Sequence, residues 1–221
     1  MKYLSLVFDD GPRDLMCEMT DKIRGFGWSA AFAIIGNRIN DETLPMLKYV
    51  IDNGFQIVSH GQDHSDLRLV SSKDEIINEL TLPIKTVKQK LNYEITMARL
   101  PFLSASGDVL EIAKDLKLPL LGQGIDGGDD WDSSVNSDRI IEAVLGSACD
   151  GAIGCLHVLG HTSEALDVIL PELKKRDFHL VTPEELFVKN GITPPLGVQI
   201  NNANEYFNPA VSSSLKRPLR N

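Results

Sequence analysis

Residues able to do chemistry occur in this 221-residue chain at a few short, separated places. Asp9 and Asp10 stand side by side at the end of the apolar run Leu4-Ser5-Leu6-Val7-Phe8, just before Gly11-Pro12. Two adjacent carboxylates repel, so one is driven toward its neutral form unless a cation lies against them. His60 and His64 have the spacing that puts two imidazoles on one face of a helical turn. Together with the Asp10 carboxylate they form a two-nitrogen, one-oxygen ligand set for a divalent cation, with water in the remaining positions. Arg99, the acidic pair Asp129-Asp130 before Trp131, and His157 complete the set. Each has a plain reading by itself: Asp-Asp-Gly-Pro as a turn, a histidine pair as the start of a surface helix. Where they stand relative to the apolar runs argues otherwise.

Those runs form a repeating pattern. Short apolar strands are expected at residues 4–8, 29–35, 55–59, 95–98, 118–121, 152–156 and 178–181. Amphipathic helices are expected at 14–24, 41–53, 72–91, 108–116, 138–145 and 163–176. Pro83 should kink or divide the third helix, and Thr182-Pro183-Glu184-Glu185 opens a last one as a capping box with proline at the first position. Strands alternating with helices predict a parallel sheet covered by helices, and seven such units suit a distorted (β/α)7 barrel, TIM-like and single-domain. Asp9-Asp10, His60-His64, Arg99, Asp129-Asp130 and His157 then all follow strands and share one rim. Three of the five histidines lie there. A catalytic domain is expected over residues 1–190. From 191 to 221 the pattern fades into an irregular C-terminal tail.

A net charge of −9 argues against a nucleic-acid groove or an anionic membrane surface as partner. Cys17, Cys149 and Cys155 are too few for a disulfide framework and read as small buried hydrophobes. No stretch is long and apolar enough to span a membrane. Met1-Lys2 runs directly into the first strand with no signal peptide, so the expected location is cytoplasmic, or secreted or cell-envelope if a leader has been removed.

Five stretches in order closely resemble the polysaccharide deacetylases of carbohydrate esterase family 4, with their nodulation-type deacetylase domain. They are Val7-Phe8-Asp9-Asp10-Gly11-Pro12, Ser59-His60-Gly61-Gln62-Asp63-His64-Ser65-Asp66-Leu67, Arg99-Leu100-Pro101-Phe102, Asp130-Trp131 and Leu156-His157. The resemblance covers residues 3 to 188. It implies a divalent metal, commonly zinc (with cobalt, nickel, manganese or iron as alternatives), held by Asp10, His60 and His64. It implies Asp9 as general base, paired with Arg99, and the N–H of Phe102, after Pro101, at the oxyanion. His157 would be the general acid, supported by Asp130, with Trp131 and Leu156 walling the acetyl pocket. One departure stands out: Gly127 occupies the place where the family's fourth motif usually carries Asp, which leaves both Asp129 and Asp130 open as the support of His157.

The implied partner is an acetylated polysaccharide or oligosaccharide, first an N-acetylated one of the peptidoglycan or chitin type. The close rival is O-deacetylation, as in an acetylxylan esterase, and the residues do not separate the two. Two readings come from other classes: a non-haem iron oxygenase, since two histidines and a carboxylate suit Fe(II), and a catalytically silent carbohydrate-binding relative. Against the first, oxygenase chemistry has no use for a second Asp, an Arg partner or an acid His. Against the second stands the complete set of rim residues.

Overall fold

In the computed structural model, which describes residues 1–129 and 136–206, the strand Lys2–Gly11 (β1) is the centre of the sheet. It pairs in parallel with Ala31–Ile34 (β2), Ile153–His157 (β7) and, at its start, Phe178–Leu180 (β8). Beyond β2 the sheet continues through Gln56–Ser59 (β3), Ala98–Arg99 (β4), Leu120–Leu121 (β5) and Gln199–Ile200 (β9). Ile125–Asp126 (β6) lies outside β7. Every one of these strand pairs is parallel.

Both faces of the central strands are buried, as a parallel sheet under helices requires. On the outer face Leu6, Phe8, Phe32, Ile57 and Leu156 pack against helical residues such as Met16, Met19, Leu47 and Leu166. On the inner face Val7, Ala31, Ala33, Val58, Leu121, Ile153 and Ile200 fill the barrel. The helices Met16–Arg24 (α1), Leu44–Asp52 (α2), Lys73–Leu91 (α3), Gly107–Asp115 (α4), Ser137–Ser147 (α5), Gly160–Lys175 (α6) and Pro183–Asn190 (α7) follow the sequence pattern. The Thr182/Glu185 capping box of α7 is complete, and Gly191 ends it in the left-handed region. Helix α3 runs unbroken through Pro83, whose ring is buried.

The described residues therefore form one distorted (β/α) barrel, with two short strands beyond the seven expected. Both are two residues long, too short for a period-two pattern to register. The second lies in the stretch read as an irregular tail. There Ile200 and Ala203 are buried, Gly122 N–H donates to Ile200 O, and Ile153 N–H donates to Asn201 O. This segment thus bridges β5 to the start of β7 and narrows the seam of the barrel. Among the described residues, no helix is long and apolar enough to cross a membrane.

Candidate active site

Strand alternation should aim Asp9 and Asp10 at opposite faces, yet both line one cavity. The register of β1 against β2 slips between Phe8 and Gly11, and Asp10 has φ +69°. This bulge re-aims Asp10 toward the side that Asp9 already faces. Two arginines hold it there: the Arg13 Nε (3.1 Å) and the Arg38 guanidinium both donate to the Asp10 backbone carbonyl. Arg13 also reaches Asp10 Oδ2 at 3.4 Å.

His60 and His64, just after β3, meet Asp10. His64 Nε2 is 3.1 Å and His60 Nε2 is 3.7 Å from Asp10 Oδ1. The backbone carbonyl of Arg99 lies 2.9 Å from His60 Nδ1. A carbonyl can only accept, so the Nδ1 proton stays there and the Nε2 lone pair faces Asp10. Burial lowers the His60 pKa, favouring the neutral imidazole that a ligand needs. Burial works to raise the Asp10 pKa. The contact with His64 and the charges of His60, His64 and His157 outweigh it and hold the carboxyl far below the usual range. Asp10 Oδ1 is buried with no hydrogen-bond partner. An orphaned carboxylate oxygen facing two imidazole nitrogens is the donor set of a divalent cation, and these three residues fit one.

Asp9 is tied differently. The wholly buried Arg99 donates from one terminal nitrogen to Asp9 Oδ1 (3.0 Å) and Val7 O (3.3 Å). Its other terminal nitrogen donates to Gly122 O (2.8 Å) and Gly154 O (3.1 Å). One guanidinium thus links β4, β1, β7 and the end of β5 across the barrel interior. The Cys155 thiol, 3.4 Å from Asp9 Oδ2, donates to the second oxygen. Burial, and then the Asp9 charge, push that thiol well above its ordinary pKa, so it stays protonated.

At the neighbouring strand end, His157 Nδ1 lies 2.9 Å from Asp129 Oδ1. Asp129 Oδ2 accepts the backbone N–H of His157 (2.8 Å) and the Thr162 hydroxyl (2.6 Å). Burial opposes a charged imidazole here, but the Asp129 hydrogen bond and the charges of Asp9, Asp129 and Asp10 win, and the His157 pKa is raised. Among the described residues, the carboxylate on His157 is that of Asp129; Asp130 and Trp131 lie outside them. Leu156 does not wall the cavity. Alternation along β7 sends it to the outer layer beneath the helices and turns Cys155 and His157 inward. Cys155 was legible by that rule, standing two places before His157, but reads from composition as a buried hydrophobe.

These groups surround one cavity of about 600 Å³. Phe102 is 60% exposed at its edge, with its ring 4.8 Å from that of His64 and φ +54°, while Pro101 is buried. Arg13, Leu103, Gln123 and Leu159 also line it, with no motif in the sequence to mark them. His161 packs Nε2 against Asp129 O at 3.3 Å, and His179 lies in β8 beside Trp28.

The family model for "Polysaccharide deacetylase" matches residues 1–121. A bifunctional xylanase/deacetylase of Pseudobutyrivibrio xylanivorans is 26% identical over 90% of this chain and 33% of its own length. The peptidoglycan-N-acetylglucosamine deacetylase of Listeria monocytogenes is 29% identical over 84% of this chain and 39% of its own. The chain thus spans between a third and two fifths of these curated relatives. A family 4 acetyl xylan esterase from Clostridium thermocellum, solved with a cobalt ion, superposes with a TM-score of 0.83 at 28% identity, covering 91% of this chain and 98% of that one. Motifs, fold and family model agree, and the chain belongs to the polysaccharide deacetylases of carbohydrate esterase family 4.

Proposed function

We propose that this protein is a metal-dependent hydrolase that removes acetyl groups from an N-acetylated carbohydrate of the peptidoglycan or chitin type. The observation that carries the reading is one cavity ringed by a cation-ready triad, a carboxylate outside that triad, and a histidine whose acid form is favoured. Asp10, His60 and His64 would hold the cation, zinc by first expectation. When bound, it would acidify a water and polarise the acetyl carbonyl.

Asp9 serves as general base. Arg99 and Cys155 fix its two oxygens, so it takes the proton of the attacking water from a set position. The Phe102 N–H, following buried Pro101, assists the developing oxyanion. His157 Nε2–H gives its proton to the departing nitrogen, while Asp129 holds Nδ1–H and stabilises the imidazolium.

The raised His157 pKa favours the amide. An amine leaves a tetrahedral adduct only once protonated, whereas an alkoxide needs that help less. The likeness to a xylanase/deacetylase and to an acetyl xylan esterase favours a second reading, O-deacetylation of xylan. Acetate release by the metal-loaded protein from N-acetylated chitooligosaccharide, peptidoglycan and acetylated xylan separates them. Release from the sugar amides is expected. Cleavage of xylan acetates alone would overturn the first reading.

A further inference from the structure

Glu79 is polar, sits on the inner face of α3 and is only 7% exposed. The carboxylate lies on the three-residue link between His60 and His64. Glu79 Oε2 accepts the N–H of Gln62 (2.8 Å) and of Asp63 (3.2 Å), and Oε1 also lies 3.2 Å from the Asp63 N–H. The approach is close: a Cβ on Gly61 would meet Glu79 Oε2 at 2.8 Å, and Gly61 has φ +74°, so both space and backbone select glycine there. The carbonyls of the link are held from the other side, Gly61 O by Gly36 N–H (2.9 Å) and Gln62 O by Asn37 N–H (2.8 Å). After this clamp the chain enters His64 at φ +59°. That is a sparsely populated conformation for a residue with a side chain, and it persists only where surroundings impose it.

We propose that Glu79 is a positioning residue for the His60–His64 pair, fixing the backbone between the two imidazoles so that both Nε2 atoms face Asp10. The proposal rests on the reading of Asp10, His60 and His64 as metal ligands. Its carboxylate touches neither imidazole. It acts by setting the path of the chain between them, anchored on a helix whose Ile76, Leu80, Pro83 and Val87 are buried. Removal of a group that orients ligands typically weakens metal binding about 10- to 100-fold, and that is the loss expected for Glu79→Ala.

The test compares wild type, Glu79→Ala and Glu79→Gln on the full chain, with Zn²⁺ affinity measured by chelator competition and Co²⁺ loading followed by its visible spectrum. Thr182→Ala, which removes a helix cap far from the site, serves as a control for lost stability. Expected results are at least tenfold weaker Zn²⁺ binding and an altered Co²⁺ spectrum in Glu79→Ala. Glu79→Gln, which keeps one acceptor oxygen for the Gln62 N–H, should recover most but not all of the affinity. Thr182→Ala should lower Tm and leave both readouts at wild type. If Glu79→Ala melts early yet binds Zn²⁺ like wild type with the same Co²⁺ spectrum, the role is purely structural and the proposal fails. If Glu79→Ala does not fold, wild-type affinity in Glu79→Gln overturns it. A wild-type protein that binds neither ion at one equivalent overturns the metal reading and this proposal with it, whereas failure of the Glu79 comparison alone leaves the metal reading standing.

Discussion

Replacing Asp129 by Asn changes one atom, and the surrounding contacts dictate where the change falls. The Oδ2 position receives a backbone N–H from His157, which can only donate, and the Thr162 hydroxyl. The amide oxygen of an asparagine must therefore take that place, and its NH2 must face His157 Nδ1, 2.9 Å away in the native protein. Nδ1 is then forced to accept, so the imidazolium loses its place. A hydrogen bond to a charged group is worth about 1.5–3 kcal/mol. At 1.36 kcal/mol per pKa unit, its loss should lower the His157 pKa by about 1–2 units. Without its general acid, kcat on an N-acetylated oligosaccharide should fall by about 10²–10⁴. The assay is the pH dependence of kcat/KM, whose alkaline limb reports the acid of the free enzyme, paired with an NMR titration of His157. An acetyl ester of a good leaving group should lose far less rate. Stability should move as well. A raised folded-state pKa contributes stability that is fully present below the unfolded value near 6.5 and lost as pH rises through the folded value. Asp129→Asn should erase that dependence. An unmoved alkaline limb with kcat within about threefold of wild type would refute the assignment of acid and support.

Three further outcomes follow from the same geometry. Asp9→Asn should cost about 10²–10⁴ in turnover while leaving Zn²⁺ affinity at the wild-type level; lost metal binding would make Asp9 a ligand instead. Arg99→Ala strands a buried carboxylate and uncaps the Gly122 and Gly154 carbonyls. It should cost about 3–5 kcal/mol in urea unfolding, and a loss under 1 kcal/mol would contradict the role of Arg99 across the barrel. Alkylation at pH 7.5 followed by peptide mass mapping should modify exposed Cys149 well before Cys155, whose thiol is buried and held protonated. Equal rates would show that Cys155 is neither shielded nor raised in pKa.

Much of the site is legible in the chain because parallel strands end on one rim. An apolar run followed by a charged or imidazole residue reads directly as Asp9, His60, Arg99 and His157 converging. What the sequence hides depends on contacts remote along the chain. The bulge that turns Asp10 beside Asp9 needs a positive φ that Arg13 and Arg38 hold in place. Asp129 is held against His157 by the Thr162 hydroxyl, on α6, which hydrogen-bonds its second oxygen. Leu156 and Cys155 exchange expected roles through alternation alone. Helix α3 stays whole at Pro83, whose buried ring packs against Gly36, a residue far off in the chain. Glu79 looks like any helix glutamate until its carboxylate is found on the Gln62 and Asp63 amides.

The central claim is that Asp10, His60 and His64 hold a catalytic divalent cation. Anomalous diffraction from crystals loaded with one equivalent of Zn²⁺ tests it most directly. The account predicts a single strong peak bonded to Asp10 Oδ1 and both Nε2 atoms at about 2.0–2.2 Å, with Asp9 turned to Arg99. A peak elsewhere, or none between these three side chains at full loading, would contradict it.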